Sequence, residues 1–300
     1  CYTMKICTLC PRMCAVNREA KERGICGQTD EIKVARAALH FWEEPCISGE
    51  KGSGAVFFSG CALHCVFCQN ENIANGTAGK VISTARLCEI FLELQEKGAN
   101  NINLVTPGQF APQIIKAVEL ARDQNLTIPI VYNTSSYENV DTIRSLEGIV
   151  DIYLPDFKYQ DAALSAKYSH APDYPSVAKE AIKEMVRQTG EAVFENGEDS
   201  LMKRGTIVRH LILPGCTKDS KAVLSYLHET YGNEIYISIM HQFTPLSNVK
   251  KYPELNRRIT EREYNEVVDF AIDIGIENGF IQDGETAEES FIPEFDNEGV

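Results

Sequence analysis

Cys61, Cys65 and Cys68 stand in the spacing C-x3-C-x2-C, inside the run Gly60-Cys61-Ala62-Leu63-His64-Cys65-Val66-Phe67-Cys68. A loop this tight can deliver three thiolates to three corners of a cubane iron–sulfur cluster. No cysteine follows until Cys88, so one iron is left without a protein ligand and open to chelation by a small molecule. A zinc site is the competing reading, with His64 as a fourth ligand, but short zinc loops usually pair two C-x2-C knuckles or combine Cys and His at other spacings. The apolar run Ala55-Val56-Phe57-Phe58 just before the loop reads as a buried strand, and a cluster loop at a strand end favours the iron reading.

A second constellation lies upstream. Cys7, Cys10, Cys14 and Cys26 give C-x2-C-x3-C-x11-C, a complete set of four thiolates. Zinc would be closed by this set and would order a segment with little core of its own. An auxiliary iron–sulfur cluster is the alternative, because Cys10-Pro11 resembles ferredoxin loops; a closed metal site is favoured, with its metal unassigned. Cys1 and Cys46 are possible substitute ligands, Cys88 is expected to pack within a helix, and Cys216 follows a Pro-Gly turn.

The composition fits thiols that serve metals. The chain has 300 residues and 11 cysteines, an odd number, and shows no signal peptide or apolar run of transmembrane length. A reducing, cytoplasmic setting and no membrane partner are expected. With 29 basic against 43 acidic residues and a formal net charge of −14, a nucleic-acid surface is not indicated.

The elements that must position these residues follow a repeating pattern. Apolar strand-like runs at 55–59, 101–105, 128–133, 150–154, 207–213 and 235–240 alternate with amphipathic stretches at 85–97, 111–125, 140–146, 176–189, 220–231 and 261–274. Six strand–helix units in series imply parallel strands joined by helical crossovers, hence an α/β fold. Spacing alone does not separate an open doubly wound sheet from an incomplete barrel. Residues 1–54 form a Cys-rich extension with no such pattern, 55–282 the α/β unit, and 283–300 an acidic tail, with Phe291, Pro293 and Phe295, expected either to pack across it or to stay partly mobile.

The three-cysteine loop, with Phe67 as the aromatic between its last two cysteines, resembles the signature of the radical S-adenosylmethionine (radical SAM) superfamily. That resemblance implies a partial (β/α)6 barrel of parallel strands with an N-terminal Cys-rich extension, a 4Fe-4S cluster, and S-adenosylmethionine bound at the open iron. It also implies cleavage to a 5′-deoxyadenosyl radical, with the site at the C-terminal ends of the strands. The runs Cys7-Thr8-Leu9-Cys10-Pro11-Arg12-Met13-Cys14 and Phe58 through Asn70 are similar to those of the branch around pyruvate formate-lyase activating enzyme. The partners this implies are a glycyl radical enzyme as protein substrate and a flavodoxin or ferredoxin-like electron donor.

Read against that family, the strand ends supply the candidates. Val105-Thr106-Pro107-Gly108-Gln109 stands where relatives carry Gly-Gly-Glu for the cofactor's amino group, leaving Thr106 and backbone groups in its place. Asn133, Thr134 and Ser135 can bind the cofactor carboxylate or ribose, although a turn or helix cap would use the same residues. Asp156 and Lys158, in an Asp-x-Lys pair like that of the activases, point the same way on an extended segment, with a surface salt bridge as the alternative. Of Arg209 and His210 at most one faces inward. Lys158 and His241 are the catalytic candidates, and Phe67 joins the cofactor wall. An iron–sulfur electron-transfer or cluster-carrier protein without radical chemistry is the other class.

Overall fold

The structure, a computed structural model, describes residues 6–196, 200–281 and 293–300. Its strands are β1 (Ile32–His40), β2 (Ser53–Phe58), β3 (Lys80–Ile82), β4 (Ile102–Val105), β5 (Ile130–Thr134), β6 (Ile152–Pro155), β7 (Val193–Phe194), β8 (Met202–Leu211), β9 (Tyr236–Met240) and β10 (Gly279–Ile281). The sheet runs β10-β9-β8-β6-β5-β4-β2-β1-β3, parallel from β10 to β2, with β1 and β3 antiparallel at one edge and β7 turning back on β8. The fold is α/β with a mostly parallel, unclosed sheet, as a partial barrel requires.

β2, β4, β5 and β6 are buried along their whole length, the mark of parallel strands covered on both faces. Alternation then sorts their side chains. Ile102, Leu104, Ile130, Tyr132 and Tyr153 join the outer core with the helices Thr84–Glu96 and Ala111–Asp123. Val131, Ile152, Leu154 and Ile207 face the concave side, where Cys46 and Ile47 plug it. Beyond that plug the concave face turns polar, since the next inward positions are Asn133, Asp156 and Arg209. The plug comes from the helix Pro45–Ser48, so Cys46 belongs to the packed interior and is no substitute thiol ligand.

β1 is the main departure from the sequence reading. It falls inside the 1–54 stretch, yet it pairs with β2 from Val34↔Phe58 to His40↔Ser53. Its residues Ala35, Ala37 and Ala38 give too little apolar contrast for periodicity to declare a strand, and antiparallel pairing with β2 supplies the hydrogen bonds that propensity does not. The helix Ala162–Ser169, capped by Asp161, is also absent from the expected pattern. Residues 293–300 cover the exposed edge of β1. The Asn297 amide donates to Ala35 O at 3.1 Å, Ala37 N donates to Glu298 O at 2.8 Å, and Phe295 packs edge-on to Phe57. Covering a sheet edge in this way removes a template for unwanted strand pairing. Phe291 and Ile292 lie outside the described residues. Among the described residues no helix is long and apolar enough to cross a membrane.

Candidate active site

The cluster loop leaves β2 through Gly60, whose φ of 87° needs glycine. A Cβ there would sit 2.4 Å from Cys26 O, so the loop is pressed directly against the N-terminal knuckle. Arg12 holds the turn, donating from Nε to Ala62 O at 2.8 Å and from Nη1 to His170 O at 2.7 Å, with its guanidinium 5.0 Å from the Tyr137 ring centre. His64 has a left-handed φ of 54° and its Nε2 meets Ile25 O at 2.8 Å. That contact and backbone role occupy His64, so the zinc reading loses its fourth ligand. Phe67 is buried against Tyr159 and Phe243. Ser169 Oγ donates to Cys65 Sγ at 3.0 Å and Leu63 N to Cys61 Sγ at 3.4 Å.

Cys61, Cys65 and Cys68 line one cavity of about 260 Å³ together with Phe67, Thr106, Asn133, Thr134, Ser135, Asp156 and Lys158. Burial pushes the Cys65 thiol up to about 11 and the Cys68 thiol to about 12, disfavouring their thiolate forms. Among the described residues no group of three or more His, Cys, Asp or Glu is placed to hold a single ion. A cubane spreads its ligands over different irons, so three thiols on one cavity wall suit it. The three thiols, sharing their cavity with the polar strand ends, therefore fit a cluster that Cys61, Cys65 and Cys68 would hold.

Opposite the thiols lies a charged network that only partly matches the expected one. Lys158 Nζ is 2.6 Å from Asp156 Oδ2, and Arg209 Nε donates to Asp156 Oδ1 at 2.9 Å. Arg209 continues to Glu43 Oε2 at 3.1 Å and Asn133 Oδ1 at 2.6 Å, while Asn133 Nδ2 and Asn103 Nδ2 donate to Glu43 Oε1 at 3.3 and 3.0 Å. The Asp156 and Lys158 side chains are only 15% and 16% exposed, which removes the surface-salt-bridge reading. Burial alone would raise the Asp156 carboxyl, but Arg209 and then Lys158 overcome it and hold it below the usual range. The same burial acts against charge on Lys158, and Asp156 reverses it, holding the ammonium above its ordinary value.

Arg209 and Glu43 were not among the sequence-derived site residues. Alternation allowed Arg209 inward, but its bridge to Asp156 depends on the β6–β8 register. Glu43 reaches the cavity from the segment after β1, and no spacing signal marks it. His210 takes the opposite face, with Nδ1 on Phe157 O at 2.7 Å and Nε2 on Ser220 Oγ at 2.8 Å, and burial lowers it to about 4.

His241 does not join the constellation. Met240 and Gln242 line the cavity, whereas the His241 ring packs edge-on against Tyr264 at 4.7 Å. Strand alternation turns it away, which removes it from the catalytic candidates. Thr106 lines the cavity with a left-handed φ of 55°, and its amide donates to Asn133 O at 2.9 Å. Gln109, at the end of the same segment, donates from Nε2 to Ser59 O, Gly60 O and Thr106 O at 2.9, 3.0 and 2.8 Å. A carboxylate could accept but not donate, so Gln109 ties the ends of β2 and β4 together in a way glutamate could not.

Arg12 carries a testable energetic claim. Its bond to Ala62 O is partly buried and that to His170 O exposed, and hydrogen bonds to a charged donor contribute about 1.5–3 kcal/mol each at most, less where water can replace them. Arg12→Ala is expected to destabilise the apo protein by about 2–3 kcal/mol, read as a lower denaturation midpoint with unchanged slope. A midpoint equal to wild type would show that the loop does not depend on this residue.

The N-terminal cysteines also come together. Cys7 N donates to Val16 O at 2.9 Å and Ala15 N to Cys7 O at 3.2 Å, closing a knuckle in which Met13 and Ala15 have positive φ. Cys7, Cys10, Cys14 and Cys26 line a smaller cavity of about 30 Å³, whose wall includes Cys61 and Glu138. Burial raises Glu138 to about 7, against donation from Thr134 Oγ1 at 2.7 Å. Cys1 lies outside the described residues, Cys88 is buried in its helix as expected, and Cys216 Sγ lies 3.6 Å from Pro214 O.

Residues 47–170 match the family described as the 4Fe-4S single cluster domain. The uncharacterized protein MJ0674 of Methanocaldococcus jannaschii is 27% identical over 278 residues, 89% of this chain and 74% of that protein. Two solved structures superpose loosely. SuiB of Streptococcus suis, bound to precursor peptide SuiA, is 12% identical over 74% of this chain and 46% of its own, with a TM-score of 0.48. A domain of pyruvate-formate lyase-activating enzyme from Bacteroides vulgatus is 11% identical over 59% of this chain and 91% of its own, with a TM-score of 0.39. This chain thus spans less than half the length of SuiB. The cluster-domain match covers the cysteine loop and the ends of β4, β5 and β6 that share its cavity.

Proposed function

We propose that the chain binds S-adenosylmethionine at the open iron of a 4Fe-4S cluster on Cys61, Cys65 and Cys68 and uses it to abstract hydrogen from a protein or peptide substrate. The observation that carries this reading is the single cavity on which the three thiols face Asn133, Thr134, Ser135, Asp156 and Lys158. When bound, the cluster supplies one electron for breaking the sulfonium C–S bond, leaving methionine and a 5′-deoxyadenosyl radical. The chain's own part is to hold an amino acid-like and a ribose-like group against that iron. Lys158 offers a cation and Asn133 to Ser135 offer hydroxyl and amide groups, while Asp156 and Arg209 keep Lys158 and Asn133 in place. A carrier of electrons or clusters alone has no use for a polar cavity of this kind.

The Asp-x-Lys pair and the cysteine runs support a finer reading, activation of a glycyl radical enzyme, with a flavodoxin or ferredoxin-like protein as electron donor. The four N-terminal thiolates make up a second metal site. Anaerobic reconstitution, reduction and mass detection of 5′-deoxyadenosine test the reaction, and a glycyl radical enzyme candidate should raise the yield and acquire a glycyl radical signal. No 5′-deoxyadenosine from a reduced, cluster-loaded chain would overturn the reading.

A further inference from the structure

We propose that the uncovered end of the β1 edge, at Leu39, takes up an extended stretch of the peptide substrate as an added strand and leads it to the thiol-lined cavity. The proposal rests on the radical reading above and names the surface that recognises its substrate. Alternation fixes where the main-chain groups of β1 point, because in an antiparallel pair every second residue turns its amide and carbonyl away from the partner strand. Ala35 O accepts from Asn297 N at 3.1 Å and Ala37 N donates to Glu298 O at 2.8 Å, so both residues face away from β2. Leu39, opposite Gly54, continues the series. Gly54 N agrees, since it donates to Asn101 O at 2.9 Å on its other side.

The cover over this edge stops short of Leu39. Pairing with β3 ends at Val34 and the main-chain hydrogen bonds from residues 297–298 end at Ala37. Among the described residues no group pairs with the Leu39 amide or carbonyl. An edge left open in this way is a template for a further strand. A main-chain donor and acceptor side by side recognise a peptide backbone whatever its side chains, and residues 297–298 show that the same edge accepts extended chain two positions upstream.

The surroundings tie this edge to the reaction. A cavity of about 180 Å³ lies over the end of β1, with Ala38, Leu39, His40 and Phe41 in its wall. It shares His40, Trp42, Phe57 and Pro293 with the cavity of Cys61, Cys65 and Cys68, so the two adjoin. Side chains of a docked strand alternate, and those on the concave side pass His40 and Phe57, which pack edge-on at 6.1 Å, on the way to the thiols. Phe41, half exposed, adds apolar surface at the mouth. A second copy of the chain would gain little here, since the hydrogen bonds of one residue are too few for a stable dimer. A substrate segment adds to them the contacts of the cavity it leads into.

The test uses the full chain, reconstituted anaerobically with iron and sulfide but without reductant, and as probe a pool of short synthetic peptides of randomised sequence. Peptides retained by wild type are expected to slow hydrogen exchange at the Leu39 amide and to bind Leu39→Pro about tenfold more weakly, because proline removes the donor at an edge position that tolerates it. If the proline variant does not fold, the peptides themselves decide the matter. N-methylation of alternate residues should weaken binding about tenfold in one phase and little in the other, since only one side of a strand faces the edge. No retained peptide, equal effects in the two phases, or a dimer in which Leu39 is protected without peptide overturns the proposal. 5′-Deoxyadenosine from a chain that retains no peptide would sink this inference and leave the radical reading standing. Peptides held at Leu39 by a reduced, cluster-loaded chain that makes none would do the reverse.

Discussion

Replacing Cys61, Cys65 and Cys68 together with alanine is expected to abolish reductive cleavage of S-adenosylmethionine, a loss to the background rate of the uncatalysed mixture. The fold should survive, because the loop is held by groups other than the sulfurs. Arg12 grips its carbonyl oxygens, Val66 N donates to Tyr168 O at 2.8 Å, and Asn248 Nδ2 donates to Cys68 O at 3.0 Å. Alanine also leaves the extended and turn conformations open to it. Circular dichroism and thermal midpoint should therefore stay near wild type while 5′-deoxyadenosine disappears. Retained cleavage in the triple variant would refute the assignment of the cluster to this loop.

The second large effect is expected at Asp156. Its carboxylate lies between Lys158 Nζ at 2.6 Å and the Arg209 guanidinium, in a largely buried site. Asp156→Asn keeps the shape and removes the charge, leaving two cations with Glu43 as the remaining carboxylate partner of Arg209. Breaking one member of a buried pair costs about 3–5 kcal/mol, because the survivor is left desolvated and uncompensated. The variant is expected to show that loss in denaturant. It should also bind S-adenosylmethionine about tenfold or more weakly, about 1.4 kcal/mol, because Lys158 and Asn133 lose their fixed positions. Titration followed by the cluster's spectrum measures the second effect separately from the first. Wild-type affinity in a folded, cluster-loaded Asp156→Asn chain would remove Asp156 from the cofactor wall.

The same pair predicts a pH dependence. The folded Asp156 carboxyl lies below its ordinary value of about 3.9, so the stability it contributes is fully present above that pH and is lost as pH falls through the folded value. Asp156→Asn should flatten this part of the acid limb of the stability curve.

Much of this architecture was legible in the chain. The alternation of apolar runs and amphipathic stretches is a local property, and the helices expected at 85–97, 111–125 and 261–274 stand at Thr84–Glu96, Ala111–Asp123 and Glu261–Asp273. The cysteine loop was legible for the same reason, since three ligands within eight residues need no distant element to bring them together. Asn133, Thr134, Asp156 and Lys158 could be named because residues at the ends of parallel strands share one side of the sheet.

What the sequence could not show are contacts set by register and by pieces of chain far apart. His241 and Arg209 exchanged importance because each strand's rotation, fixed by pairing β8 with β6 and β9, sends Arg209 into the cavity and His241 against Tyr264. Glu43 became a partner of Arg209 only when β1 paired with β2 and carried the following segment across the concave face, a separation of 166 residues in the chain. Cys26 reached the wall beside Cys61 by the same long-range packing. Local spacing determined which thiols stand close together, whereas strand register and the fold of the first 54 residues decided which charges line their cavity. Spacing is a property of neighbours along the chain, while register is chosen by the burial of whole strand faces, to which every residue of the sheet contributes.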